Sequence, residues 1–216
     1  TRDEEDVFAA QDLDMPGGVE SIARAIADNG VIAGSYRDSA NVRHAFAWNG
    51  SMSDLDSTLS GTSGEGVNLF GQVVGYQELA AGATRALLWQ NKRTINLNDL
   101  LPLGSGWQLM AAKDINDYGV IVGEGQYDGA TRAFVLTPDT DGDGLPDPFE
   151  FLIIDIDSAD DINTIGDVLP GDDFDEDGVC NGDEYAAGTY PADPRSDLGV
   201  TVVAKYPTVA LGGIQS

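Results

Sequence analysis

A chain of 216 residues with 37 acidic and 11 basic side chains carries a formal net charge of −26. Such a surface repels phosphates and anionic lipid, so nucleic acid and acidic membranes are excluded as partners and cations are expected. No run approaches the ~20 apolar residues that span a bilayer, and the single cysteine, Cys180, makes no intrachain disulfide and leaves the redox compartment open.

The start at Thr1 reads as the processed end of a secreted chain. Residues 1–137 hold 18 acids and nine bases, whereas residues 138–197 hold 19 acids against Arg195 alone. This shift places a boundary near Pro138. It separates a repeat region (1–137) from an acidic module (138–198) and from a C-terminal strand or linker (199–216), with a strand at Val200–Ala204.

The first region repeats itself. Three hairpins recur at Ile26–Gly34, Val67–Gly75 and Ile115–Gly123, with turn glycines Gly30, Gly71 and Gly119 spaced by 41 and then 48 residues. Asn29-Gly30 suits a tight two-residue turn with positive φ, and Gly71 and Gly119 are expected to serve alike. Each hairpin is followed by an apolar strand: His44–Trp48, Arg85–Trp89 and Arg132–Leu136. Ahead of each lies another strand-like signature, Asp12-Leu-Asp14, Asp54-Leu-Asp56 and Asn96-Leu-Asn98, at a spacing of 42 residues. A further strand is expected over Val7–Leu13. The longer third interval places an insertion around Leu101–Gly106. Units this small cannot bury an apolar face alone, so they must stack, and their size is that of a propeller blade.

The segments Asn29-Gly-Val-Ile-Ala-Gly34 and His44-Ala-Phe-Ala-Trp48-Asn-Gly50 resemble the HAF-type bacterial extracellular repeat, over roughly residues 7–137. The resemblance implies a secreted or cell-surface location in a bacterium and no established chemistry. In the second unit Phe70-Gly71 replaces the Asn-Gly of that pattern.

The acidic module contains two twelve-residue runs that fit a calcium loop position by position. In the first, Asp139, Asp141 and Asp143 fill positions 1, 3 and 5, Gly144 the turn, and Leu145 the carbonyl ligand at 7. Asp147 stands at 9 and Glu150 at 12, where both oxygens can bind one ion. In the second the same places are held by Asp173, Asp175, Asp177, Gly178, Val179, Asn181 and Glu184. So many oxygens in an irregular loop point to calcium, because magnesium demands near-octahedral order. Cys180 reads as a packed thiol.

The run Glu184–Asp197 resembles bacterial cell-surface calcium modules related to thrombospondin type 3 repeats, over about residues 138–198. That resemblance raises Asp193 and Asp197 as additional ligands, with Tyr190 in the place of the family's Asp.

Other residues invite weaker readings. His44 has Arg85 and Arg132 as its repeat equivalents, so a hydrogen-bonding strand residue is expected there rather than a catalyst. Trp48 and Trp89 read as core, while Trp107 and Tyr127 are the aromatics left for a glycan. The sequence has no nucleophile elbow, phosphate loop or zinc cluster.

The expected architecture is mainly β, with three propeller-blade-like antiparallel repeats and a small calcium module with short helices. The expected function is a non-enzymatic extracellular structural or adhesive protein that self-associates, as a surface or filament subunit. The alternatives are a carbohydrate-binding surface module and a fragment of a propeller-type hydrolase or lyase.

Overall fold

The computed structural model describes residues 9–13, 17–154 and 161–195. The chain divides between Pro138 and Asp139 into two compact units.

Among the described residues, the first unit holds eleven strands in three antiparallel sheets. The first sheet runs β1 (Gly18–Ile26), β2 (Ile32–Asp38), β3 (Arg43–Trp48) and β4 (Met52–Asp54). The second runs β5 (Thr62–Val67), β6 (Val73–Glu78), β7 (Thr84–Gln90) and β8 (Arg93–Asn96). The third runs β9 (Trp107–Ile115), β10 (Ile121–Tyr127) and β11 (Ala130–Leu136). Each sheet is a meander in which sequence neighbours pair, and the described strands close no barrel or ring. Register repeats with the sequence: Ile32 faces Trp48, Val73 faces Trp89 and Ile121 faces Leu136.

The hairpin turns differ from the two-residue form. Ala27 accepts from the Gly30 N–H and donates to the Val31 carbonyl, and Asn68 and Asn116 do the same in the other two sheets. In each loop the glycine alone takes positive φ, at 84°, 72° and 76° for Gly30, Gly71 and Gly119. This is the longer connection, a turn closed by one left-handed glycine, which leaves the preceding residue in ordinary backbone. Phe70 therefore replaces Asn without altering the register.

Two other expectations also change. Asp54 and Asn96 end β4 and β8, and the chain turns at once: their Oδ1 atoms accept from the N–H of Asp56 and Asn98, at 2.9 and 3.2 Å. Short Asx side chains favour such turns over continued strand. In the first copy of this signature, Asp12 and Leu13 lie outside any strand, as do all of residues 9–13, so the described part of Val7–Leu13 is not one. Asp14, Val200–Ala204 and residues 199–216 lie outside the described residues. The third-unit insertion falls in the loop before β9 and in β9 itself, which has nine residues where β5 has six.

Each first strand carries a bulge, at Arg24, Glu65 and Lys113, opposite Gly34, Gly75 and Gly123. A Cβ at any of these glycines would overlap a carbonyl oxygen, that of Ile22, Ser63 or Ala111. The bulge bends the first strand toward its partner, and glycine is what allows the approach.

The second sheet is covered on both faces. Toward the first sheet, Val67, Val73, Leu87 and Trp89 pack on Ala33 and Ala45. Toward the third, Val74, Ala86 and Leu88 pack on Leu109, Ile115, Ile121 and Phe134. The turns are tied in series: Asn29 Nδ2 donates to the Leu69 carbonyl at 2.7 Å, and the Leu69 N–H to Asp117 Oδ1 at 2.9 Å.

The second unit has helices α1 (Asp147–Ile154) and α2 (Asn181–Ala187) around a small core of Leu145, Phe149, Ile153 and Val168. No described helix is long and apolar enough to cross a membrane.

Candidate metal centres

The two acidic loops each lead into a helix, and local chemistry sets their shape. In the first, Asp139 Oδ1 accepts from the Gly142 N–H at 2.8 Å, and Asp143 Oδ1 from the Leu145 N–H at 2.7 Å. In the second, Asp173 accepts from the N–H groups of Asp177 and Gly178, and Asp177 from Val179 at 2.8 Å. Gly144 and Gly178 bend the chain inward at φ of 101° and 95°. These bonds hold one oxygen of each aspartate, or both for Asp173, and curl the loop so that its carboxylates converge.

The convergence is tight. Oxygens of Asp139, Asp141 and Asp143 lie within 4.8 Å of one another, as do those of Asp173, Asp175 and Asp177. The helix carries in the closing residue of each loop. Glu150 on α1 is buried and neither of its carboxylate oxygens has a hydrogen-bond partner. Glu184 on α2 is buried too, with Oε2 unpartnered, and Asp143, Asp175 and Asp177 each keep an unpartnered buried Oδ2. A buried polar oxygen without a partner is costly, so this many in one place is a property of the site.

The electrostatics agree. Burial, and then the charges of Asp141, Asp143, Asp147 and Asp139, push the Glu150 carboxyl up to about 7. Burial and the nearby Asp175 and Asp177 raise Glu184, and burial raises Asp175. Each loop is thus a concentrated negative charge that a divalent cation would relieve. Oxygen-only donors with a deep two-oxygen carboxylate suit a hard cation.

The remaining nominated residues fall differently. Leu145 is buried in the small core and Val179 is half-buried, so their side chains anchor the loops while their carbonyls are the nominated ligands. Asp147 braces the first loop: its Oδ1 accepts from the Thr140 N–H and its Oδ2 from the Thr140 hydroxyl, both at 2.6 Å. Asn181 is buried with Nδ2 donating to the Leu169 carbonyl at 3.0 Å, and its Oδ1 is unpartnered. Thr140 and Leu169 were not legible as parts of the site, because no spacing rule marks them. Asp193 is engaged elsewhere, in an exposed pair with Arg195 at 2.8 Å that holds its carboxyl below the usual range. Asp197 lies outside the described residues. Cys180 is half-buried and precedes α2.

The other candidates are occupied structurally. His44 is buried against Tyr36, with ring centroids 5.3 Å apart, and its Nε2 lies 3.5 Å from Asp38. Its repeat equivalent Arg85 donates to Gln77 at 2.9 Å, so the position serves the strand. Trp89 is buried in the core, whereas Trp48 is half-buried. Trp107 packs on Tyr127, at 5.0 Å, and edge-on to Phe134, so the two aromatics of the alternative glycan reading lie together in the third sheet.

The chain matches no protein-family model, no curated protein and no solved structure.

Proposed function

We propose that residues 139–150 and 173–184 bind one calcium ion each, and that the protein is a non-enzymatic extracellular structural or adhesive component. The observation that carries the reading is the pair Glu150 and Glu184, buried at the same loop position, with both oxygens of Glu150 and Oε2 of Glu184 unpartnered among the described residues. Asp139, Asp141, Asp143 and Glu150 would hold one ion; Asp173, Asp175, Asp177 and Glu184 the other. The backbone carbonyls of Leu145 and Val179 would complete the shells. Bound cations would neutralise part of the charge of −26 and stiffen the second unit. The three meanders are read as blade-like repeats whose stacking builds the rest of the molecule, and an extracellular setting supplies the calcium that sites of this kind need.

Hydrogen exchange with and without chelator tests this. Chelation should loosen residues 139–195 and leave the sheets protected. Equal loosening of both units, or of neither, contradicts it.

A second reading, carbohydrate binding, is favoured by one specific feature. A cleft of about 530 Å³ between β4 and the β7–β8 hairpin is lined by Asp54, Asp56, Trp89, Gln90, Lys92 and Arg93, among others. A glycan array distinguishes the two readings, since the structural reading expects no saccharide to be retained.

A further inference from the structure

The repeat lets each exposed side chain be compared with its buried counterparts. Val74 and Leu88 face each other across β6 and β7, and with Ala86 they form the second sheet's surface toward the third. The same register in the third sheet gives Val122 opposite Val135, with Ala133 beside them. Val74 is 0% and Leu88 6% exposed, whereas Val122 is 44% and Val135 65% exposed. The first sheet shows the opposite face in the same condition. Its Ile26 corresponds to Val67 and Ile115, which are 6% and 4% exposed, yet Ile26 is 68% exposed. Ile32 and Trp48, a cross-strand pair equivalent to the buried Val73 and Trp89, are half-buried. Phe46 of that face is already covered, so its open part is the end bearing Ile26, Ile32 and Trp48.

These two open faces are complementary by construction. One is the kind of surface that the second sheet offers the third, and the other is the kind that the second and third sheets offer the sheet before them. Stacked repeats normally end in polar caps, because a uniform apolar face would seek a further layer. Here each open face carries exposed apolar residues, with Glu124, opposite Ala133 and paired with Lys113, the charged neighbour on the third sheet's face.

We infer that the Val122, Ala133 and Val135 face of one copy docks on the Ile26, Ile32 and Trp48 face of a second copy, head to tail. The contact continues the sheet-to-sheet packing found twice within the chain. It specifies the self-association included in the expected function, and it stands apart from the calcium sites. A head-to-tail contact uses two different surfaces, so it builds rings or open filaments rather than a symmetric pair.

The test is sedimentation velocity of the full chain in millimolar calcium, with Val135→Lys and Ile26→Lys variants. Both positions are exposed, so the fold should survive, and lysine lowers the net negative charge, so lost association cannot come from added repulsion. The wild type should show concentration-dependent growth. Each variant alone should weaken association at least tenfold. An equimolar mixture should stop at a dimer, because each variant keeps the face that the other lacks. Wild-type monomer at every concentration overturns the inference, as does growth unchanged in both variants. A mixture no larger than its parts would show a symmetric contact and overturns it too. Calcium stoichiometry measured on the same samples keeps a failure here distinct from a failure of the metal assignment.

Discussion

Arg24 and Glu65, 41 residues apart, stand on the bulges of β1 and β5, and their side chains meet at 3.3 Å between the first two sheets. Lys113 holds the same place on β9 but pairs at 3.0 Å with Glu124 of its own sheet. The bulge is therefore common to the repeat, and the ion pair is local. The Arg24 side chain is 37% exposed, so Arg24→Ala should lower stability by less than about 1 kcal/mol. Gly75→Ala, opposite the same bulge, should cost about 3 kcal/mol through overlap with the Ser63 carbonyl. All three tryptophans lie in the first unit, so fluorescence-detected urea unfolding reads that unit. A larger loss for Arg24→Ala than for Gly75→Ala contradicts the assignment.

The strands and their sheets were readable because turn glycines and β-branched runs recur with fixed spacing. The mainly β architecture follows, with three antiparallel sheets and two short α-helices among the described residues. The turn at Asn29-Gly30 departs from the two-residue form, since the dipeptide suits two loop lengths and hydrogen bonding decides between them. Asp54-Leu-Asp56 departs from a strand for a related reason: a leucine between Asx residues suits a strand, but the Asx side chains cap a turn. At the candidate metal centres, the clustering of each aspartate triplet followed from alternate spacing along a tight loop. Thr140 was invisible because its bonds to Asp147 depend on how the loop folds back.

Glu176 takes φ of 61° at the fourth position of its loop, where the first loop has Gly142 at 77°. A side chain in the left-handed region costs about 1 kcal/mol or more, part of which glycine returns as freedom in the unfolded chain. Glu176→Gly should therefore stabilise the cation-free second unit by roughly 0.5 kcal/mol, a direction that removing one negative charge reinforces. Thermal unfolding followed by circular dichroism in chelator measures it. A clear loss of stability would contradict the strain.

Protonation should compete with the cation. The Glu150 carboxyl stands at about 7 in the fold against an ordinary 4.5. Between those values the folded state holds a proton that the unfolded chain has released, so cation-free stability is full below pH 4.5 and falls as pH rises through 7. With calcium present the trend should reverse, because the ion requires the ionised carboxylate. Melting curves of the second unit from pH 4.5 to 7.5, with calcium and with chelator, should converge at the acid end and separate as pH rises. Parallel curves would remove Glu150 from the site.

The most direct measurement is calorimetric titration of calcium into the metal-stripped full chain, beside Glu150→Gln and Glu184→Gln. Each glutamate would give two oxygens to its ion, so its loss removes more coordination than the loss of one aspartate oxygen. The account predicts two ions per wild-type chain, with one site lost or weakened at least tenfold in each variant and circular dichroism of the sheets unchanged. Fewer than two sites in the wild type, or both variants binding as the wild type does, would contradict it.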